Sequence, residues 1–266
     1  MITADFHTHS HFSSDSSESL ENMISHAKEN HINTLCITDH LDLDYPVDEN
    51  GHDFQLDLVS YTKTITSLKQ SNQDIEILHG IELGVMDYLA PKLTTIVKQY
   101  PFDFVIASSH LVNGIDPYYP AYKDKFPGNL GYVAYFHSIL ENVKAFVDFD
   151  VYGHLDYVCR YIQVPYIPSD FSDLLDEILK RIIELGKGIE INTASLSKGL
   201  HFPHPHPYIL KRYLELGGEI ITIGSDAHIA KNIGAYFSET EKHLLSLGYR
   251  YYTTYKNRKP SFHKLG

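Results

Sequence analysis

The chain has 266 residues, 43% hydrophobic and 21% charged, a balance that supports a sizeable core and excludes a disordered chain. Its formal charge, 22 − 34 = −12, repels a phosphate backbone, and the one locally basic run, Lys256 to Lys264, is short, so no nucleic-acid partner is expected. No stretch nears the ~18 consecutive apolar residues of a membrane helix, and polar sequence from His7 leaves no room for a signal peptide, so a cytoplasmic protein without a membrane partner is expected.

Short β-branched runs alternate with amphipathic stretches of helical spacing, the pattern of βα units around a parallel sheet. In chain order, strands are predicted at Ile2 to His7, Thr34 to Asp39, Ile75 to Glu82, Phe104 to Ser109, Val151 to His154, Gly188 to Asn192 and Ile220 to Ser225. Helices are predicted at about 18–31, 55–71, 90–99, 129–147, 170–186, 206–217 and 238–247, the one near 170 with N-cap candidates in Ser169 and Asp170. Seven units without a linker or composition break predict one α/β domain over residues 1–266, closed as a barrel. An open doubly wound sheet would open on a glycine-rich turn, but the first turn reads His7-Thr8-His9-Ser10-His11. Two connections are long, acidic 41–54 and Tyr/Pro-rich 111–128, and each suits a lid or a plain surface insertion. Cys36 and Cys159 lie in or beside apolar runs with no neighbouring thiol, as buried fillers do.

Histidine is the unusual residue: 17 against 3 Met and no Trp. Imidazole is a costly core filler and the commonest transition-metal ligand, so position decides what these residues do. The predicted strands end almost uniformly in such groups: His7 and His9 after the first, Asp39-His40 after the second, Glu82 after the third, then His110, His154, and Asp226-Ala227-His228 after the last. Residues i and i+2 of extended chain project to one side, so His7 with His9, and Asp226 with His228, each offer two convergent ligands. A single histidine at a strand end is usually a hydrogen-bonded core residue. Six appearances at the C-terminal face of one parallel barrel, where such folds collect their chemistry, predict a metal site there.

This ordered set, running over essentially the whole chain, resembles the PHP (polymerase and histidinol phosphatase) superfamily: His-x-His after strand one, Thr-Asp-His after strand two, a strand-end Glu, two isolated histidines and a closing Asp-x-His. The resemblance implies a distorted (βα)7 barrel and a layout like the superfamily's stand-alone histidinol-phosphate phosphatases. It implies three divalent metals: one held by His7, His9, Glu82 and Asp226; a second by His110 and His154, with Glu82 bridging; a third by Asp15, His40 and His228. Asp15 stands where some relatives place a histidine, which leaves the preferred metal open among zinc, manganese and iron; its plain alternative is a solvated or capping aspartate. Against +6 from the cations the three carboxylates return −3, a positive excess suited to a phosphate dianion.

The implied activity is hydrolysis of L-histidinol phosphate to L-histidinol and phosphate, with Glu82, Asp226 and His228 as catalytic residues. For the substrate, Arg160 follows His154 closely and offers a bidentate fork for phosphate, or makes an ordinary surface ion pair. Lys198 and His201 follow the sixth strand; His201 is a candidate acid for the leaving alkoxide, as is a water, or it belongs to an idle His/Pro-rich loop. Tyr118, Tyr119 and Tyr122 would form an aromatic lid or simply pack. Other phosphatase designs fail: neither cysteine starts Cys-x5-Arg, Asp42-Leu43-Asp44-Tyr45-Pro46 lacks the threonine of Asp-x-Asp-x-Thr, no P-loop occurs, and one His52-Asp53 pair is a poor basis for a helical metallohydrolase. The rivals are a phosphoesterase of another small metabolite, an amidohydrolase-type enzyme and a non-catalytic metal-binding module. The closing His228 and the lack of an evident strand-end lysine argue against the second, and the complete ligand set against the third. Oligomeric state is not legible.

Overall fold

In a computed structural model the structure describes residues 1–47, 51 and 53–266; residues 48–50 and 52, among them His52 of the His52-Asp53 pair, lie outside the described residues. The sheet is all-parallel in the order β1 (Ala4–Asp5), β2 (Thr34–Ile37), β4 (Glu76–Gly84), β5 (Phe104–Ser108), β6 (Val151–Tyr152), β7 (Gly188–Asn192) and β8 (Ile221–Gly224), with the short β3 (His40–Leu41) also pairing β4. Both β2 and β3 lie along β4: the predicted strand Thr34 to Asp39 pairs only as far as Ile37, breaks at Thr38-Asp39, and the pairing resumes in β3 beyond its predicted end. Strand runs such as Phe-Val-Ile-Ala-Ser are buried on both faces, as a sheet flanked by helices requires.

The circle nearly closes between the first and last strands. Phe6 N donates to Ile223 O at 3.0 Å, Asp226 N to His7 O at 2.7 Å, and His9 N to Ala227 O at 2.9 Å. The buried Asp5 carboxylate holds the seam by accepting from Ser225 N and Gly234 N, each at 2.9 Å. Gly224 lies so close to the first strand that a Cβ there would fall 2.3 Å from His7 Cβ and 2.8 Å from Glu190 Oε1. Only glycine fits this approach.

Around the sheet run α1 (Leu20–Glu29), α2 (Leu58–Ser71), α3 (Ala90–Gln99), α4 (Pro120–Lys125), α5 (Asn129–Ala145), α6 (Ser172–Glu184), α7 (Ala194–Ser197), α8 (Pro207–Glu215) and α9 (Phe237–Leu247). Ser19 caps α1 by accepting from Asn22 N at 3.2 Å, and Asp57 caps α2 through Val59 N and Ser60 N at 3.1 Å. In α6 the stripe Leu175, Ile178, Leu179 and Ile182 is buried. Its predicted caps are not used: Ser169 and Asp170 sit in a 3-10 turn, Pro168–Phe171, because Pro168 starts the chain turning before the α-helix begins at Ser172. Cys36 is buried and Cys159 half-buried, both free.

Three features are not in the sequence prediction, the first of them the short α7 after β7. The 111–128 connection carries α4, whose Tyr122 is buried and donates to Gly131 O at 2.6 Å, as packing rather than as a lid. After α9 comes an antiparallel hairpin, β9 (Tyr251–Lys256) and β10 (Lys259–Lys264). Its two-residue turn, Asn257-Arg258, has φ of 49° and 62°, the left-handed pair of a type I′ turn. The turn docks at the N-terminal ends of β5 and β6: Arg258 Nε donates to Asp150, Arg258 Nη2 to Asp148 O at 2.8 Å, and Asn257 N to Asp103 Oδ1 at 3.1 Å. Among the described residues no helix is long and apolar enough to cross a membrane.

Candidate metal centre

At the opposite end of the barrel Glu82 stands at the middle of the site, fully buried on the long β4. Five imidazoles from four other segments surround its carboxylate. His40 Nδ1 lies 2.9 Å from Oε2, His7 Nε2 3.2 Å and His9 Nε2 3.5 Å; His154 Nε2 lies 3.0 Å from Oε1 and His110 Nε2 3.3 Å. Asp226 Oδ1 closes the other side, 3.2 Å from His9 Nε2 and 3.7 Å from His7 Nε2. Asp226 holds a φ of 53° to do so, uncommon for a residue other than glycine. Asp15 Oδ2 lies 2.9 Å from His228 Nε2 and 3.8 Å from His40 Nε2.

A second layer of acceptors turns the rings. His7 Nδ1 contacts Glu190, His110 Nδ1 lies 2.6 Å from Asp42 Oδ2, and His228 Nδ1 lies 3.0 Å from Asp226 O. Each of these three therefore presents Nε2 inward, the arrangement seen when an outer acceptor fixes a ligand's tautomer. Asp39 acts on the backbone: its carboxylate accepts from Ser10 N at 2.6 Å, Ser10 Oγ at 2.7 Å and Ser13 Oγ at 2.8 Å. Ser13 Oγ in turn accepts from His40 N at 3.0 Å and lies 3.2 Å from His9 Nδ1. Glu190, Asp42 and Asp39 were not among the predicted ligands. Glu190 had a readable signal, since in Gly188-Ile189-Glu190-Ile191-Asn192 the polar residues alternate with apolar ones in a strand otherwise buried.

The electrostatics follow from packing these groups together. Burial alone would raise the Glu82 carboxyl, but His7, His40 and His110 override it and hold it well below the usual range. Burial, reinforced by His40 and His228, pushes His9 down to about 3, a neutral imidazole. His40 goes the other way: burial opposes its charge, yet Glu82 and Asp15 lift it to about 9. A divalent cation in this place would substitute for such protons.

Whether the residues fit a metal can be judged from their unsatisfied atoms. His7 Nε2, His9 Nε2, His40 Nδ1 and Glu82 Oε2 are buried without a hydrogen-bond partner among the described residues, all facing one another. Buried polar atoms are seldom left so. Four overlapping groups have ligand atoms close enough to share an ion: His7, His9 and Glu82; Glu82, His110 and His154; His9, His40 and His228; and His40, Asp42 and His110. Mixed imidazole and carboxylate donors suit zinc, manganese or iron. A further group, Asp156, Cys159 and His204, is also close, but Arg160 Nε sits 2.9 Å from His204 Nε2, and a guanidinium repels a cation there.

A cavity of about 420 Å³ opens over the centre and is lined by Asp15, His40, His110, His154, Asp226 and His228. Arg160 and Lys198 line it too, Arg160 lying over the Tyr157 ring at 5.0 Å. His201 is exposed and does not line it. Nor do Tyr118, Tyr119 or Tyr122; the aromatic lining comes instead from Tyr45, Phe54, Tyr157, Tyr161 and Tyr236. The 111–128 connection contributes Asp116, which accepts from Tyr45 Oη at 2.7 Å.

With this geometry in view, the likenesses to known proteins fall into place. The PHP domain family model matches residues 5–194. A protein of Clostridium acetobutylicum named "Probable histidinol-phosphatase" is 33% identical over 243 residues, 90% of this chain and 91% of that protein. The histidinol-phosphatase of Lactococcus lactis subsp. lactis is 33% identical over 244 residues, 87% of this chain and 86% of that one. The crystal structure of histidinol phosphate phosphatase from Lactococcus lactis subsp. lactis, complexed with zinc, L-histidinol and phosphate, superposes with a TM-score of 0.88 at 29% identity, covering 97% of this chain and 98% of that chain. A structure from Listeria monocytogenes, 22% identical with a TM-score of 0.76 over 89% of this chain and 99% of that one, shares the fold. Matched through most of its length, and with its His-x-His, strand-end Glu and Asp-x-His side chains gathered at one end of a seven-stranded barrel, the chain belongs to the PHP family.

Proposed function

We propose that the protein is a metal-dependent phosphomonoesterase that hydrolyses L-histidinol phosphate to L-histidinol and phosphate. The observation that carries this reading is the single carboxylate of Glu82 ringed by five imidazoles beneath a cavity that also holds Arg160 and Lys198. Three divalent cations are the proposed complement: His7, His9, Glu82 and Asp226 for one, Glu82, His110 and His154 for the second, Asp15, His40 and His228 for the third. Zinc is favoured by the Lactococcus structure, which contains it. Cations held there supply Lewis-acid charge for the phosphoryl oxygens and acidify water enough for attack near neutral pH.

The remaining work falls to the chain's own side chains. Arg160 and Lys198 bind and orient the phosphate, their charge opposing the equatorial charge that grows in the transition state. The lining tyrosines Tyr45, Tyr157 and Tyr161 suit a flat imidazole, and Asp42 and Asp116 suit the cationic end of an amino alcohol. Glu82, Asp226 and His228 act by holding the centre. This reading implies a biosynthetic enzyme of the cytoplasm.

The test is a panel of phosphomonoesters under identical metal loading. L-histidinol phosphate is expected to show the highest kcat/KM against phosphotyrosine, nucleoside monophosphates and an aliphatic phosphate. A nucleotide or phosphotyrosine preferred by ~10-fold, about 1.4 kcal/mol of transition-state preference, would leave a phosphatase acting on another metabolite. No hydrolysis of any ester with zinc, manganese or iron present would sink the phosphatase reading altogether.

A further inference from the structure

We infer that Asp156 and His204 are positioning residues that set the direction of Arg160, with the Asp156 carboxylate fixing the His204 tautomer and His204 fixing the guanidinium. The inference rests on the reading of Arg160 as a phosphate ligand and goes beyond it.

The three side chains form one line. Asp156 Oδ1 lies 2.6 Å from His204 Nδ1, and Arg160 Nε donates to His204 Nε2 at 2.9 Å. Asp156 and His204 are both fully buried. A carboxylate only accepts, so Nδ1 carries the proton and Nε2 keeps its lone pair for Arg160. The reverse tautomer would set two N–H groups head to head.

The imidazole cannot drift. His204 exchanges both backbone hydrogen bonds with Asn192 at the end of β7, at 2.7 and 2.9 Å, and Asp156 Oδ2 accepts from His206 N at 2.8 Å. Arg160 is held from a second side by Tyr157. With Nε committed to His204 and Tyr161 also in hydrogen-bonding reach of the guanidinium, Nη2 is buried without a hydrogen-bond partner among the described residues and is left, at the terminal edge, for a ligand. That edge matches two phosphate oxygens. A guanidinium aimed in advance loses less freedom on binding than one that must be recruited.

Asp156→Asn is an informative change. Both carboxylate oxygens accept, one from His204 and one from His206 N, and an amide serves only one of those roles while its NH2 faces the other donor. His204→Phe removes the acceptor, and His204→Gln restores one oxygen acceptor. Affinity for inorganic phosphate by calorimetry, KM, kcat, metal content and melting temperature would be measured for these variants, for Arg160→Ala, and for the double variant His204→Phe with Arg160→Ala.

Expected are an Arg160→Ala loss of phosphate affinity of about tenfold or more, a similar loss in His204→Phe and Asp156→Asn with metal content kept, partial recovery in His204→Gln, and little added loss in the double variant. If Arg160→Ala binds phosphate normally, the phosphate-ligand reading falls and the positioning role with it. If Arg160→Ala is weakened while Asp156→Asn and His204→Phe match the parent, or if the losses multiply in the double variant, positioning alone is overturned.

Discussion

Glu82 touches five histidines that come from the first, second, fourth and fifth strands of the barrel, counting β3 with the second and β4, the strand of Glu82 itself, as the third, and it is the residue whose change says most. Glu82→Gln keeps the size and removes a negative charge from between imidazoles meant for cations, so metal content and turnover are both expected to fall, turnover by roughly a hundredfold or more. Elemental analysis beside steady-state rates checks this; normal metal content would place Glu82 outside the coordination shell. A second residue argues about pH away from the centre. His79 is buried against Tyr61 and Phe102, and burial pushes it down to about 4 although Pro101 O and Asp103 favour its charge. Because the folded pKa lies below the unfolded value of ~6.5, its stabilising neutrality is intact above pH 6.5 and is lost as pH falls towards 4, a contribution of about 3 kcal/mol. His79→Gln, which does not titrate, is expected to flatten the fall of unfolding free energy between those pH values; an unchanged slope would assign the dependence to other groups. His7, His9, Asp226 and His228 were readable because i, i+2 pairs at strand ends converge by geometry alone. Glu190 showed only as a polar residue alternating within an apolar strand, and His204 was not readable, since it reaches the site from a His/Pro-rich loop that carries no spacing rule.

At the scale of elements, the strands and major helices were legible because β-branched runs of four to nine residues cannot bury both faces except in a sheet covered by helices. The break in the second strand was not, since Thr38-Asp39 reads as ordinary strand end; its cause lies in Ser10 and Ser13, distant in sequence, whose N–H and O–H groups capture Asp39. The terminal hairpin also escaped. Its turn is Asn-Arg where Asn-Gly is the recognisable signal, and its second strand is exposed along its length, reading as a basic tail. Its attachment can be tested. Arg258 meets the carboxylate of Asp150, which is 3% exposed, so Arg258→Ala leaves a buried carboxylate with Val105 N as its hydrogen-bond partner among the described residues and the charge of Lys187 to favour it. Because Arg258 is itself partly exposed, the loss is expected at about 2–3 kcal/mol, below that of a fully buried pair. Chemical denaturation measures it. Phosphatase activity at 25 °C should hardly change, because the hairpin docks at the end of the barrel away from Glu82; a loss of activity without loss of stability would contradict the structural role.

For the whole molecule, one arrangement links stability to chemistry. The proposed ligands come from the first strand (His7, His9), the third (Glu82), the fifth (His154) and the turn after the last (Asp226, His228), so cations at the centre would staple the barrel at its C-terminal end. Asp5 and the backbone bonds between Phe6 and Ile223 already hold the same seam without metal. The chain is therefore expected to fold without cations but to melt lower, since anything bound only by the folded state stabilises it by RT ln(1 + [L]/Kd), roughly 4 kcal/mol for one site at a thousandfold excess over Kd. In a chain of this size that is a rise of roughly 10 °C. We take all 266 residues, the hairpin included, as one domain, because the buried residues of β9 join the same apolar core as the barrel strands. Scanning calorimetry before and after removal of metal by a chelator checks both statements. A single transition that moves down on chelation and returns on adding zinc is the expected outcome. A second transition that Arg258→Ala shifts alone would make the hairpin a separate unit, and a melting temperature indifferent to chelator, in protein shown by elemental analysis to have carried metal, would mean that the ligands do not join the strands through the cations.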